Sequence, residues 1–193
     1  TEGLAKFLAA GFVANSDGSA RHNISFRTLA GETGVTAANL KAAAALTTGS
    51  IKADRVTNIS GKAADIISVF ATTGITDLGT AETIVVTDNP TVTQLNQILG
   101  LTTAPVTATI TAAMSDLNAL TETGNNITVS VTGNYTTAEL TALQAKTIGT
   151  VTTNSGTTLT GTYADVYAAA APGGTFDAAT NVTVTDPVTT AQV

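Results

Sequence analysis

The residues that could support catalysis are few. His22 is the only histidine in the chain, so a Ser-His-Asp triad would have to use it. Its neighbours Arg21, Asn23 and Ser25 form no catalytic signature, and we interpret the histidine as a surface or packing residue. Residues 31–34 lack the lysine and the spacing of a phosphate-binding loop. The sequence therefore predicts a protein that is not an enzyme, with no catalytic and no cofactor-binding residues.

Several acidic side chains follow predicted strands, where secreted repeat proteins can bind calcium. They are Asp77, Asp88 with Asn89, and Asp186. None of them belongs to a twelve-residue calcium loop or to a glycine-rich nonapeptide. The pattern favours turn formation or helix capping, so we assign no metal ligand and keep calcium as an alternative.

Five Asn-x-Ser/Thr triplets could accept glycans in a eukaryotic or archaeal surface protein. They begin at Asn23, Asn58, Asn126, Asn134 and Asn181. Because Thr-rich sequence generates such triplets by chance, we predict no modification from them.

The composition is dominated by small and β-branched residues, with 41 Thr and 33 Ala among 193 residues. Aromatic residues make up 4% and charged residues 11%, so Ala, Val and Thr must fill the core, which suits thin stacked layers. The absence of Cys excludes disulfides and thiolate metal sites. No stretch approaches the ~20 continuous apolar residues of a membrane helix.

Charge is unevenly distributed along the chain. Residues 1–62 hold seven of the eight basic residues and four acids, a net charge of +3. Residues 63–193 hold ten acids and only Lys146, a net charge of −9. A long acidic segment argues against a nucleic-acid partner.

A four-residue motif of three small or polar residues and an aliphatic anchor recurs along the chain. The anchors are Leu40, Ile66, Leu95, Leu117, Leu140, Val166 and Val193. Successive anchors are separated by roughly 22 to 29 residues, a spacing typical of tandem structural repeats. Further apolar residues follow most anchors three and four positions later, which predicts a short helix of two to three turns at each copy.

Each predicted helix has residues that could begin and end it. Threonines placed to cap the N-termini are Thr36, Thr91, Thr136, Thr162 and Thr189. Glycines expected to end the helices in the left-handed conformation are Gly49, Gly74, Gly100, Gly124, Gly149 and Gly173.

Runs that alternate aliphatic residues with Thr predict strands with one buried and one wet face. The runs are 84–87, 106–111, 127–131 and 182–185, with a weaker one at 150–153. A unit of about 22 to 29 residues is too small to bury its own apolar face, so successive units must stack. We predict an α/β solenoid in which short parallel strands form one long sheet and a short helix follows each strand. An ordinary compact α/β domain is the alternative.

The predicted array covers residues 36–193 and stops inside its last motif copy, so we expect a truncated C-terminus. Residues 1–35 do not follow the pattern. Leu4, Phe7, Leu8 and Phe12 share one helix face. We interpret this segment as an N-terminal cap or the end of a preceding domain.

Residues 85–88, 92–96 and 138–143 resemble the Thr/Ala-rich tandem-repeat arrays of very large secreted proteins of cyanobacteria and other aquatic bacteria. The resemblance covers residues 36–193 and transfers no functional residue. It implies a structural or adhesive protein outside the cell or in a surface layer, acting through self-association or surface contact. Some such relatives occur on phage particles, which implies the alternative of a virion protein that docks through its N-terminal part. A glycan-binding module is a further alternative.

Overall fold

The computed structural model describes residues 24–25, 34–45, 49–121, 123–170 and 181–189. The chain divides into two compact units. Unit 1 comprises Thr1–Pro90 with Gln94–Ala108, and unit 2 comprises Thr91–Thr93 with Thr109–Val193. In each unit parallel strands alternate with short helices, so the fold class is α/β. The predicted helix face from Leu4 to Phe12 lies outside the described residues.

The described residues contain six helices, and each begins at the first residue of a motif copy. They are α1 Ala37–Ala45, α2 Ala63–Ala71, α3 Val92–Leu99, α4 Met114–Leu117, α5 Thr137–Gln144 and α6 Tyr163–Ala170. The seventh copy lies outside the described residues. The predicted helix starts are thus confirmed for six copies, although α4 has only 4 residues and is shorter than predicted.

The aliphatic anchors of the motif form the helical part of the core. Five of the six described anchors are at most 2% exposed: Leu40, Ile66, Leu95, Leu117 and Leu140. Val166 in α6 is half-buried. Residues one turn further along, such as Val69 and Ile98, are also fully buried, because spacings of three and four place them on the same helix face.

Twelve short strands accompany the helices in the described residues. They are β1 Ile24–Ser25, β2 Val35–Thr36, β3 Ile51–Lys52, β4 Asn58–Gly61, β5 Ile75–Thr76, β6 Thr83–Val86, β7 Val106–Ala113, β8 Asn126–Thr132, β9 Tyr135–Thr136, β10 Val151–Thr153, β11 Thr158–Gly161 and β12 Asn181–Val184. The five predicted runs correspond to β6, β7, β8, β10 and β12. The others were missed because strands of 2 to 4 residues are too short to show alternation.

The strands of unit 1 form two series. Strands β1, β3 and β5 make a three-stranded sheet, and β2, β4, β6 and the start of β7 lie side by side in another. The prediction of a single sheet with one strand per helix is therefore wrong. The chain turns after β3, where the Val56 N–H donates to the Ala53 carbonyl oxygen, and this turn creates a second strand before α2. We call one helix with the strands that lead into it a segment.

Pairing in unit 1 joins each segment to the next in sequence. Val35 is the parallel register partner of Ile59, Ile59 of Ile84, and Ile84 of Val106. Each of these steps along the chain equals one spacing of the motif. Ile59, Ile84 and Val106 are at most 1% exposed. The pairing therefore builds a continuous buried column of aliphatic side chains.

Unit 2 repeats this arrangement. Strands β8 and β10 pair in parallel, and β9, β11 and β12 form a separate parallel sheet. Leu159 is the register partner of both Tyr135 and Val182, each of which lies one motif spacing away along the chain. Tyr135 and Leu159 are buried, whereas Val182 is 49% exposed. The apolar column of this sheet thus ends on an exposed residue.

The expected left-handed glycines do not end the helices. Gly74, Gly100 and Gly149 have no positive φ, and Gly124, with φ of 83°, comes well after Leu117, the last residue of α4. Helix α2 instead ends at an extended Thr72, whose N–H donates to the Val69 carbonyl oxygen. Gly173 lies outside the described residues.

Gly149 is required by the closeness of a neighbouring strand. A Cβ atom at this position would lie 2.3 Å from the carbonyl oxygen of Ile127 in β8. A Cβ atom at Gly74, by contrast, would have only one neighbour, the Gly49 carbonyl oxygen at 3.9 Å. The glycines after the helices therefore differ in what they provide, and Gly149 provides room for strand pairing.

We expect Gly149→Ala to destabilise the chain by roughly 1–3 kcal/mol, because β8 and the turn before β10 must separate to admit the methyl group. Gly74→Ala is the matched control and should change stability by about 1 kcal/mol or less. The midpoint of urea unfolding for the two variants measures the difference. Equal midpoints would contradict the close approach at Gly149.

Candidate functional site

The residues first considered for catalysis are only partly described. His22, residues 31–33 and the acceptor Asn23 lie outside the described residues. Gly34 is described, and a Cβ atom there would lie 2.8 Å from the Asn58 Oδ1 atom. This glycine therefore gives room to the neighbouring β4 strand.

Two of the three predicted turn aspartates cap helices of the segment before their own. Asp88 Oδ1 accepts a hydrogen bond from the N–H of Ala63, the first residue of α2, at 2.9 Å. Asp186 Oδ1 accepts one from the N–H of Tyr163, the first residue of α6, at 2.6 Å. A carboxylate at a helix N-terminus satisfies a free N–H group and favours the helix dipole. The helix-capping interpretation is thus confirmed for both aspartates.

Asp77 has a different role in its turn. Its φ of 62° lies in the left-handed region that Asp tolerates better than most residues. Its Oδ2 atom accepts a hydrogen bond from the Thr76 hydroxyl at 3.3 Å. Within the described part of the chain, no group of three or more His, Cys, Asp or Glu residues could hold a metal ion. Calcium binding stays a prediction.

The described asparagines of the Asn-x-Ser/Thr triplets differ in accessibility. Asn58 donates its side-chain amide to the Thr83 hydroxyl at 2.7 Å, across the β4–β6 pair. The Asn134 Oδ1 atom accepts from the Thr158 N–H at 3.1 Å. Asn126 and Asn181 are exposed. At least two of these asparagines therefore join neighbouring segments through their side chains.

Thr147 is a buried side chain that joins β8 to the turn before β10. Its hydroxyl oxygen lies 2.7 Å from the Ile127 carbonyl oxygen and 2.9 Å from that of Asn125, and these share its one hydrogen. The same oxygen accepts from the N–H groups of Ile127 and Gly149, at 3.0 and 2.9 Å. One side chain thus satisfies backbone groups on both segments.

Thr102 makes the equivalent contacts in unit 1. Its hydroxyl lies 2.7 Å from the Glu82 carbonyl oxygen and 3.1 Å from that of Thr80, and it accepts from the Ala104 N–H at 3.0 Å. The sequence analysis missed both threonines. A usable signal was their common position four residues before the first residue of a strand, β7 or β10. We call Thr102 and Thr147 the threonine clamps.

Helix α5 begins with a capping box that also reaches the preceding segment. The Thr136 hydroxyl accepts from the Glu139 N–H at 3.2 Å, and Glu139 Oε2 accepts from the Thr136 N–H at 2.8 Å. Asn118 donates its amide to Glu139 Oε1 at 2.9 Å. The backbone N–H of Thr136, followed by the Asn118 amide, lowers the pKa of Glu139 below its ordinary value. The predicted cap at Thr136 is confirmed.

Glu82 is the acidic side chain buried in unit 1. It is 5% exposed, and its Oε1 atom accepts from the Gly79 N–H at 2.6 Å. Its Oε2 atom has no hydrogen-bond partner among the described residues. Because Glu82 is held by the N–H of its own turn, we interpret it as a residue that fixes the turn before β6.

The most unusual surface of the described residues lies in unit 2. The exposed large apolar side chains of the described chain are all found between residues 148 and 188: Ile148, Tyr167, Val182 and Val188. Strand β12 carries Val182 and has one strand neighbour, β11, within the described residues. Three of its four residues are exposed. The free side of β12 is therefore the candidate contact surface.

Comparison with known proteins gives no further guide to function. The sequence matches no protein-family model, no curated protein and no solved structure. Among the described residues, no helix has the length and apolar character needed to cross a membrane.

We expect Thr147→Val to destabilise the chain by about 1–3 kcal/mol, because an isosteric side chain leaves buried N–H and carbonyl groups without their partner. The exposed Thr150, three residues later, offers the matched control Thr150→Val, which should shift stability by less than about 0.5 kcal/mol. Urea unfolding gives the stability difference. Hydrogen exchange at the Ile127 and Gly149 amides should accelerate in Thr147→Val alone. Unchanged exchange at both amides would rule out the clamp.

Proposed function

We propose that this chain is a structural or adhesive protein that acts outside the cell, as part of a surface layer, filament or adhesin. In this proposal the segments stack as a solenoid, and function comes from repeated contacts along the array. The observation that carries the proposal is the parallel register between successive segments. Partners such as Ile59 and Ile84 lie one motif spacing apart in both units.

The contacts between segments support a mechanical role. The threonine clamps and the capping aspartates Asp88 and Asp186 use the polar groups of one segment to satisfy those of another. Each segment is thereby held by its neighbours, and an unpaired segment would leave buried polar groups unsatisfied. A chain built this way transmits force along its strands and needs no cavity for its function.

The solvent-facing sides of the strands support contacts with other polar surfaces. Ser130 donates its hydroxyl to Asn154 Oδ1 at 2.6 Å, and the Thr152 hydroxyl donates to the Val129 carbonyl oxygen at 3.2 Å. These side chains are ordered by bonds between segments, so less conformational entropy is lost when a partner binds. Many weak contacts of this kind suit adhesion or self-association.

Two alternatives rest on specific observations. The exposed basic residues Lys52, Arg55 and Lys62 favour a virion protein that docks through its N-terminal part. The rings of Tyr163 and Tyr167 stack with centroids 6.0 Å apart, and Tyr167 is 68% exposed. Exposed aromatic rings can contact the apolar faces of sugars, which favours a glycan-binding module.

Immunogold labelling of the native source, with antibodies raised against residues 63–193, tests the proposed location. We expect gold on the surface of intact cells, at a density that permeabilisation does not increase. Serum preabsorbed with the purified chain is the control. Gold confined to virus particles would favour the virion alternative, and gold seen only after permeabilisation would contradict both.

A further inference from the structure

We propose that a second copy of this chain binds head to tail, with strand β2 of one copy pairing in parallel with the free side of β12 in another. This inference rests on the proposed function of a self-associating structural protein, and it names the two surfaces that meet. In the described residues, β2 and β12 each lie at the end of their sheet and have one strand neighbour.

The internal correspondence between the two units indicates what covers β12. Strands β4 and β11 begin at Asn58 and Thr158, and strands β6 and β12 begin at Thr83 and Asn181, so the two pairs are offset by nearly the same length of chain. The sheet order β2-β4-β6 of unit 1 therefore corresponds to the order β9-β11-β12 of unit 2. In unit 1 the next strand, β7, covers the second side of β6. The corresponding side of β12 is free.

The residues that cover β6 define the chemistry of the missing neighbour. Val106 and Thr107 of β7 are the register partners of Ile84 and Val85. Strand β2 consists of the same dipeptide, Val35-Thr36. Placed beside β12, Val35 would extend the apolar column that ends at Val182, and Thr36 would lie beside Thr183. Strand β2 thus has the sequence and the free side that the position requires.

Charge favours the same pairing and opposes a tail-to-tail one. Described residues 34–62 carry Lys41, Lys52, Arg55 and Lys62 against Asp54, a net charge of +3. Residues 147–193 contain no Lys or Arg, and their described acids are Asp165 and Asp186. Two acidic tails repel, whereas a basic head and an acidic tail attract each other.

A head-to-tail contact uses two different surfaces on each copy, so it does not close on itself in a dimer. Each added copy presents a new free β12, and the assembly grows in one direction. This growth links the strand geometry directly to a filament or surface layer.

Sedimentation velocity of the full chain and two blocked variants tests the proposal. We expect wild type to form oligomers beyond the dimer, with weaker association in high salt. Val182→Lys should block the tail and Val35→Asp the head, each raising the dissociation constant about tenfold or more. Ile148→Lys is the matched control, because Ile148 is an exposed apolar residue of unit 2 outside β12. It should leave association unchanged.

Mixing the two blocked variants gives the decisive result. The Val182→Lys copy keeps an intact head and the Val35→Asp copy an intact tail, so the mixture should form a one-to-one dimer that grows no further. Circular dichroism checks that each variant folds, and Arg55→Glu with Lys62→Glu replaces Val35→Asp if that variant unfolds.

Three outcomes would overturn the inference: a monomeric wild type, a Val35→Asp variant that still dimerises through its tail, or an equal loss of association in Ile148→Lys. A monomeric wild type would leave the surface labelling unaffected, so the two proposals fail separately.

Discussion

Parallel pairing between strands of successive segments is the interaction on which the rest of this structure depends. A helix of 8 or 9 residues with two short strands cannot bury its own apolar face. Pairing places Ile59 beside Ile84, and Ile84 beside Val106, so that each segment covers the apolar side chains of the next. The buried anchors of the helices, such as Leu40 and Ile66, follow the same spacing.

Polar groups at the segment boundaries reinforce this pairing. The helix N–H groups of Ala63 and Tyr163 are satisfied by aspartates that follow the next strand of the same sheet, and the threonine clamps satisfy backbone groups before β7 and β10. Burial of these groups without partners would cost free energy, so the segments stabilise one another. Where a strand has no neighbour, as on the free side of β12, the same chemistry is available to another chain.

The sequence was most informative where apolar spacing alone decides the structure. The motif predicted the start of six helices and the burial of their anchors, because a helix face needs only residues three and four apart. It failed for strands as short as β4, for the number of sheets and for the helix ends. Those features depend on contacts between segments, such as the approach of Ile127 to Gly149, which no local pattern records. The contact surface on β12 was equally hidden, since Val182 resembles the buried Val129 in sequence and differs only in having no neighbour.

Removal of one complete period tests most directly whether strand pairing between segments organises the chain. Deletion of residues 84–105 joins Thr83 to Val106, so that Val106 takes the place of its register partner Ile84 beside Ile59. The account predicts a folded protein with cooperative urea unfolding and an unchanged circular dichroism spectrum per residue. Deletion of residues 84–94 alone, half a period, should abolish cooperative unfolding because it shifts every later strand out of register. If both deletions unfold the chain to the same extent, the fold is not organised by period-to-period pairing.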